Sequence, residues 1–416
     1  MRCPLVTAAV MVAALVATAA VRAQTPEANA ETTTFRLRTS IKAAGLVFRA
    51  PDAPLLFPQR TGGESLSRIR IEPEVRTGGG AAFSMAYEQR FRYTSSLGLS
   101  TLGILPPDSP APYRIRQLDW SLSNSPNSSW RHEIDRANAN VHAGTADITV
   151  GRQAIGWGRG VVFGAVDLFA PFSPLEADRE WRRGIDAARA DVKLGDRSSI
   201  DVVSAFGTSW DRSLVAGRVR GYRGQIDVEA MGGRRARDLF GGLTTSAAVG
   251  NAELHGEVGA FRVPEPLPLS DARTIWKAVA GGSYRLPWGS GVIMYAEYHY
   301  SGFGARKPED IVRLLCDPGF AERYLRGDTQ ILSRHATAII ASYEKSPMLA
   351  FSGQWLHNPL DGSGVAAPGI TVTLSDRLSV YGVSYLPYGA SPRGIVLKSE
   401  YGTASISGFA QLRVYL

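Results

Sequence analysis

The sequence predicts an all-β fold, a single-chain transmembrane antiparallel β-barrel of about 18 strands, within a range of roughly 16 to 20. Three observations carry this. Apolar and polar residues alternate with period two, in segments of about ten residues separated by Gly, Pro, Ser, Asn and Asp turns. Past residue 23, no stretch approaches the roughly 18 apolar residues that a membrane helix needs. Aromatic residues gather where segments begin or end, as at Tyr87, Phe91, Tyr93, Tyr284, Trp288, Tyr295, Tyr298, Tyr300, Tyr381, Tyr385 and Tyr388, a placement that suits interfacial girdles. Soluble sandwiches and propellers alternate too, but hydrocarbon satisfies no backbone N–H or C=O, so a sheet that spans it must close on itself. Closure also removes the edges on which a large alternating sheet would aggregate.

Residues 1–23 read as an export signal. Met1 and Arg2 give a positive start, Pro4 to Val21 is rich in Ala, Val and Leu, and Val21-Arg22-Ala23 ends in a small-x-small pattern before Gln24. An uncleaved anchor is the competing reading, because the apolar stretch is just long enough to span a bilayer. Residues 24–416 are read as one barrel domain. The formal charge of +8 falls by two when Arg2 and Arg22 leave, and Cys316 becomes the single thiol, so neither a disulfide framework nor a cysteine-based zinc site is available. The basic balance does not point to nucleic acid, since there is no basic helix or aromatic RNA-binding signature.

The first segment is Phe35-Arg36-Leu37-Arg38-Thr39-Ser40-Ile41-Lys42, apolar on one face and cationic on the other. Residues 69–76 and 83–93 form a hairpin about Thr77-Gly78-Gly79-Gly80. Further segments run at about 113–122, 130–141, 146–153, 185–194, 199–206, 213–221, 225–231, 243–249, 251–262, 274–286, 291–300, 334–344, 348–357, 369–374, 377–386, 394–401 and 404–416. In 113–122 the phase is ambiguous, because Arg114 and Arg116 share a face with Leu118 and Trp120; a bulge is one explanation. The last strand, Gln411 to Leu416, resembles the C-terminal signal read by barrel-assembly machinery, although its aromatic, Tyr415, stands one place before the end.

If Phe35, Leu37, Ile41, Ile69, Ile71, Val75, Phe83, Met85, Tyr87 and Phe91 face lipid, then Arg36, Arg38, Lys42, Arg68, Arg70, Arg76, Arg90 and Arg92 face the lumen, because Arg on the lipid face costs about 2 to 4 kcal/mol at the midplane. Arg36, Arg38, Arg68, Arg70, Arg90 and Arg92 are the candidate solute-binding residues. The alternative is that these arginines pair with Glu72, Glu74 and Glu88 and stiffen the wall.

Two long interruptions break the pattern. Residues 154–184 are too rich in Gly and Pro for a helix or central strand, yet Trp157, Val161, Val162, Phe163, Leu168, Phe169, Phe172 and Trp181 all need burial. A loop folded against the inner wall resolves the conflict and narrows the pore. Its candidate constriction residues, with the strand residue before it, are Arg152, Trp157, Arg159, Asp167, Phe169, Arg179, Arg182 and Arg183. Residues 302–331 read as a helical loop or partial plug: Pro308-Glu309-Asp310 suits a helix N-terminus, and Asp317-Pro318 begins a second helix through Phe320, Tyr324 and Leu325. Cys316 is expected on its apolar face as a small buried hydrophobe.

Gly151-Arg152-Gln153, followed by Trp157-Gly158 and Asp167-Leu168-Phe169, resembles a segment of porin-like outer-membrane proteins, including the alginate-export type. The resemblance covers about a tenth of the chain and implies an inward-folded loop after a strand, in the bacterial outer membrane.

No soluble catalytic signature is present. His132, His142, His255, His299, His335 and His357 are dispersed without H-E-x-x-H or paired metal spacing, and no G-x-S-x-G occurs. The run Gly156 to Gly160 continues into a proline-rich coil instead of opening a phosphate-binding helix. No metal, cofactor or enzymatic activity is expected. The leading expectation is a channel for small hydrophilic solutes, anionic or saccharide, since arginine forks suit carboxylates and aromatic faces suit sugar rings. A component that exports or binds an acidic surface polysaccharide is second, and an outer-membrane enzyme third. The partners expected are outer-membrane lipid and lipopolysaccharide, the assembly machinery, and the solute or polysaccharide.

Overall fold

The computed structural model describes residues 33–95, 103–109, 111–269 and 271–416; the export signal read at 1–23 lies outside them. The strands are β1 (Thr34–Arg49), β2 (Thr61–Arg76), β3 (Ala81–Thr94), β4 (Asp119–Asn124), β5 (Ser128–Ala143), β6 (Ala146–Gln153), β7 (Ile185–Lys193), β8 (Ser198–Ala205), β9 (Leu214–Arg223) and β10 (Ile226–Arg235). They continue with β11 (Asp238–Val249), β12 (Ala252–Arg262), β13 (Thr274–Leu286), β14 (Val292–Ser301), β15 (His335–Ser346), β16 (Leu349–Asn358), β17 (Ser363–Ser375), β18 (Leu378–Tyr388) and β19 (Ile406–Tyr415). All pairings between them are antiparallel, and β1 pairs with both β2 and β19, which closes the barrel. Short β4 lies beside the first part of β5 while β6 lies beside its second part, so the two share one position in the wall. The barrel therefore has 18 strand positions.

Side chains alternate as a membrane wall requires. Along β1, Ser40, Lys42, Ala44, Leu46 and Phe48 are buried inward, whereas Phe35, Leu37 and Val47 are exposed outward. Around the wall the exposed face carries Phe83, Val150, Val228, Leu243, Leu254, Trp276 and Ile370. No helix among the described residues is long and apolar enough to cross a membrane; this chain crosses with strands.

The connections divide by length. One end has tight turns, such as 144–145, 224–225 and 376–377, and also holds the start of β1 and the end of β19. The other end carries the long connections 50–60, 154–184, 302–334 and 389–405. In barrels of this class long loops are extracellular, so residues 154–184 enter from that side.

Several sequence expectations need correction. Residues 394–401 are not a strand. They lie in the 389–405 loop, where Glu400 accepts the N–H groups of Leu332 (2.9 Å) and Ser333 (3.3 Å) and so packs loop on loop. Residues 113–118 are irregular, with Tyr113 at φ 54°, and the expected bulge falls later, between Ser121 and Ser123 of β4. Tyr381 and Tyr385 belong to the inner face of β18, not to a lipid girdle: Tyr385 donates to the Leu175 carbonyl at 3.1 Å. Cys316 is exposed. The first helix of the 302–334 loop, α1 (Asp310–Leu315), buries Ile311 and Leu314, and a residue two places after Leu314 points away from that stripe. The second, α2 (Pro318–Arg326), has the expected start, with the Asp317 carboxylate accepting Phe320 N–H at 2.7 Å and proline in the first turn.

A candidate constriction ring

The inner wall is densely charged. On β1, β2, β3 and β5 the residues Lys42, Arg68, Arg90 and Arg131 stand opposite one another in register, a row of like charges that is unfavourable without compensation. On β8, β10, β12 and β14 the inward residues include Asp201, Asp227, Glu229, Glu257 and Glu297. Of these acids, Asp201, Asp227 and Glu229 are paired with Arg189, Arg218 and Arg220 of β7 and β9, whereas Glu257 and Glu297 have no arginine on the wall within 4.0 Å among the described residues. Residues 154–184 lie against both sets of strands.

The segment follows the inner perimeter in strand order. Trp157 donates its indole N–H to Asp201 on β8 at 3.1 Å, and Arg159 reaches Asp227 and, at 3.0 Å, Glu229 on β10. Glu257 on β12 accepts the backbone N–H groups of Arg159, Gly160 (2.8 Å) and Ala165 (2.7 Å). Glu297 on β14 accepts those of Val161, Val162 (3.0 Å) and Phe163 (3.1 Å). Gly158 is needed for this approach, because its φ is +102° and a Cβ there would lie 2.7 Å from Glu257 Oε1. Gln354 on β16 then donates to the Pro174 carbonyl at 2.8 Å, and Tyr385 on β18 to Leu175. Asp178 meets Gln411 on β19 at 3.2 Å and Lys42 on β1 at 2.7 Å. Trp181 lies beneath Lys42, Arg68 and Arg70, with cation-to-ring distances of 3.8, 4.6 and 5.0 Å. Finally Gly184 N–H donates to Asp135 on β5 at 3.0 Å.

The two ends of this circuit meet. Arg182 binds Asp167 at 2.6 Å, and its guanidinium carbon is 2.8 Å from where a Cβ on Gly156 would stand. Residues 154–184 are thus a ring seated inside the barrel. Its apolar residues, among them Trp157, Phe163, Leu168 and Phe169, are buried against the wall, with Phe163 stacked on His299 and Trp157 edge-on to Phe169. The 302–334 loop braces it from outside: Gln330 accepts Gly164 N–H at 2.7 Å and donates to the Phe172 carbonyl at 2.9 Å.

The arginines anticipated on the first strands divide by depth. Arg36 and Arg38 have inward parity but lie exposed at the tight-turn mouth. Deeper in, Arg68 is bidentate to Glu88 (3.0 and 2.8 Å), and Arg70 binds Glu72, Glu88 and Asp135 at 3.0, 3.1 and 2.9 Å. Asp135, the unpaired residue of a β5 bulge opposite Ala86 and Tyr87, keeps the inward side of Arg131 and Glu133, and its carboxylate meets Arg70 and Arg114. Arg90 pairs with Glu133, and Arg92 with Glu64 (2.8 Å) and Asp108 (3.2 Å). Arg152, behind the ring, binds Asp186 at 2.7 Å.

The ring also carries cations of another kind. Arg179 donates only to carbonyls, those of Val161 (3.2 Å), Ser173 (3.2 Å) and Pro174, and Arg183 only to the Ser109 carbonyl at 2.7 Å. Neither has a carboxylate within 4.0 Å among the described residues. Two cavities flank Pro171-Phe172. One, of about 290 Å³, is lined by Arg183, Arg90, Glu176 and Trp181; the other, of about 460 Å³, by Arg179, Arg182, Trp157 and Glu257. Burial pushes the Glu176 carboxyl up to about 7, against the pull of the Ser173 N–H, Arg183 and Arg179.

Sequence reasoning did not single out Glu176, Asp178, Asp201, Glu257, Glu297 or Gln330. Asp201, Glu257 and Glu297, the three on strands, lie in three separate sequence segments, and only closure of the sheet brings them to one ring.

No family model matches this chain, and no curated protein matches it in sequence. Solved structures resemble it in fold. The OccK11 (OpdR) protein of Pseudomonas aeruginosa superimposes with a TM-score of 0.55 at 8% identity, covering 92% of this chain and 96% of its own. A BenF-like porin from Pseudomonas fluorescens Pf-5 gives 0.53 at 9%, covering 92% and 98%. With OccAB4 of Acinetobacter baumannii also at 0.51 and 9% identity over 93% and 99% of the two chains, this chain, with 18 strand positions in its own wall, has the fold of the outer-membrane porin barrels.

Proposed function

We propose that this protein is an outer-membrane channel for small hydrophilic anionic solutes, with the ring of residues 154–184 as its selective constriction. One observation carries the reading. Arg179 and Arg183 border the two cavities at the ring with no carboxylate partner, whereas the strand arginines Arg68, Arg70, Arg90 and Arg92 are each paired. A barrel of 16 to 18 strands is wide enough for an aqueous lumen. Two uncompensated guanidinium groups at its narrow point would focus a positive field there and favour anions, and their planar forks suit carboxylate or phosphate.

The test is reversal potential across a planar bilayer under a salt gradient. The wild type should prefer anions. Arg179→Gln/Arg183→Gln should lose most of that preference, and Arg36→Gln/Arg38→Gln, at the wide mouth, should change it little. A barrel that prefers cations, or a ring variant as selective as the wild type, overturns the proposal.

A further inference from the structure

Several features of the outer surface converge at one place on the long-loop rim, between β14 and β15. The backbone fixes two arginines side by side there. Ala305 N–H donates to the Leu332 carbonyl at 2.8 Å and Arg334 N–H to the Ala305 carbonyl at 3.0 Å, so Arg306 and Arg334 leave neighbouring points of one small ladder. Arg306 is exposed, and neither guanidinium has a carboxylate within 4.0 Å among the described residues. The nearest acid in sequence after Arg306, Glu309, is engaged by Lys398 at 3.3 Å. Arg334 Nε is buried and has no hydrogen-bond partner. Its proton affinity is lowered by burial and by Arg306, with Tyr300 opposing. Two repelling cations held together without compensation form a seat for an anion.

What lies beside this pair indicates the kind of anion. Tyr298, Tyr300 and His335 form an outward cluster: the Tyr298 hydroxyl and His335 Nδ1 are 2.5 Å apart, and the Tyr300 ring centroid is 5.3 Å from that of His335. These residues stand at the ends of their strands, at the level where aromatic side chains meet lipid headgroups. A free anion in water would need no aromatic floor, whereas an amphiphile with a phosphate above and acyl chains below would use both.

We propose that Arg306 and Arg334 bind a phosphate of a phosphorylated glycolipid in the outer leaflet, with Tyr298, Tyr300 and His335 against its sugar and proximal acyl carbons. The site is independent of the lumen and of what the channel passes.

The experiment is native mass spectrometry of the purified full barrel titrated with bisphosphorylated lipid A, with the same lipid A after removal of both phosphates, and with inorganic phosphate as competitor. Bisphosphorylated lipid A should bind, and loss of its phosphates or Arg306→Gln/Arg334→Gln should each weaken binding at least about tenfold, the scale of one charge-assisted hydrogen bond. Bilayer conductance of the double variant should equal that of the wild type, which shows that it folds. Three results would overturn the assignment: equal binding of the dephosphorylated lipid, undiminished binding by the double variant, or displacement of lipid A by inorganic phosphate at equimolar concentration. A wild-type barrel that dimerises through this face, with lipid unable to compete, would identify a second copy as the occupant instead.

Discussion

Arg70 and Arg179 carry the same guanidinium and are put to opposite uses by their surroundings. Arg70 is fully buried and holds three carboxylates, so its charge is spent inside the wall; removing one partner of such a group leaves the others uncompensated, at a cost of about 3–5 kcal/mol. Arg179 bonds only carbonyls, so no carboxylate within hydrogen-bond reach neutralises it. Glu176 modulates that charge. Its carboxyl, pushed up to about 7 by burial, is protonated in the folded ring at pH values where an unfolded glutamate, near about 4.3, is ionised. A carboxyl raised on folding stabilises the fold at low pH, and that contribution is lost as pH climbs from about 4.3 through about 7. For conduction the sign is the same: below pH 7 Glu176 is neutral and Arg179 and Arg183 act unopposed, while above it a negative charge offsets them. Anion preference should therefore strengthen as pH falls, with a midpoint near 7. Reversal potentials measured from pH 5 to 9 check this, and Glu176→Gln should flatten the profile at its acid-side level. A wild-type profile without a midpoint in that interval would refute it.

At the scale of elements, the strands were legible and the seat of the ring was not. Alternation is a local property, and the segments at 146–153 and 274–286 coincide with β6 and β13 because each has turn residues on both flanks. It misled at 394–401, where the pattern alternates but Val396 N–H turns back to the Arg393 carbonyl and Glu400 N–H donates to the Asp361 carboxylate, and along β2, whose first half from Thr61 is too rich in Gly and Ser to alternate visibly. The ring announces itself as an apolar interruption, but its partners Glu257 and Glu297 look like any inward acids until register is known. Each caps three backbone N–H groups, a pattern equivalent to a bound anion in a nest of donors. Hydrogen bonds to a charged group contribute about 1.5–3 kcal/mol each, and neutral ones about 0.5–1.5. Glu257→Gln/Glu297→Gln should accordingly loosen the first half of the ring while the wall stays closed. Single-channel records should show larger mean steps and more rapid flicker than the wild type. Steps of unchanged size and noise would mean that the apolar contacts of Phe163 and Phe169 hold the ring without these carboxylates.

At the scale of the whole molecule, wall and ring are separable in construction but complementary in charge. Every neighbouring strand pair is joined by its own hydrogen-bond ladder, including the β1–β19 closure, and none of these ladders passes through residues 154–184. The barrel wall should therefore assemble without the ring. Its inner charges are another matter, since the ring supplies Asp178 and Glu180 to Lys42, and backbone N–H groups to Glu257 and Glu297. With the ring removed these groups would face water, which solvates charge well, so the cost is modest compared with burial in apolar surroundings. Replacing residues 156–182 by a short Gly-Ser linker should thus give a barrel that still inserts and still shows the heat-modifiable gel shift of a closed sheet. Its conductance should rise severalfold, because an 18-position barrel encloses a channel wider than the gap the ring leaves. Its selectivity should also fall, since Arg179 and Arg183 leave with the ring, and Arg68, Arg70, Arg90 and Arg92 on the remaining wall are paired with carboxylates of that wall. A deletion variant that conducts no better than the wild type would place the narrow point in the 302–334 loop above, and one that fails to insert would show that the ring's acids are needed to bring the basic strands β1, β2 and β3 together.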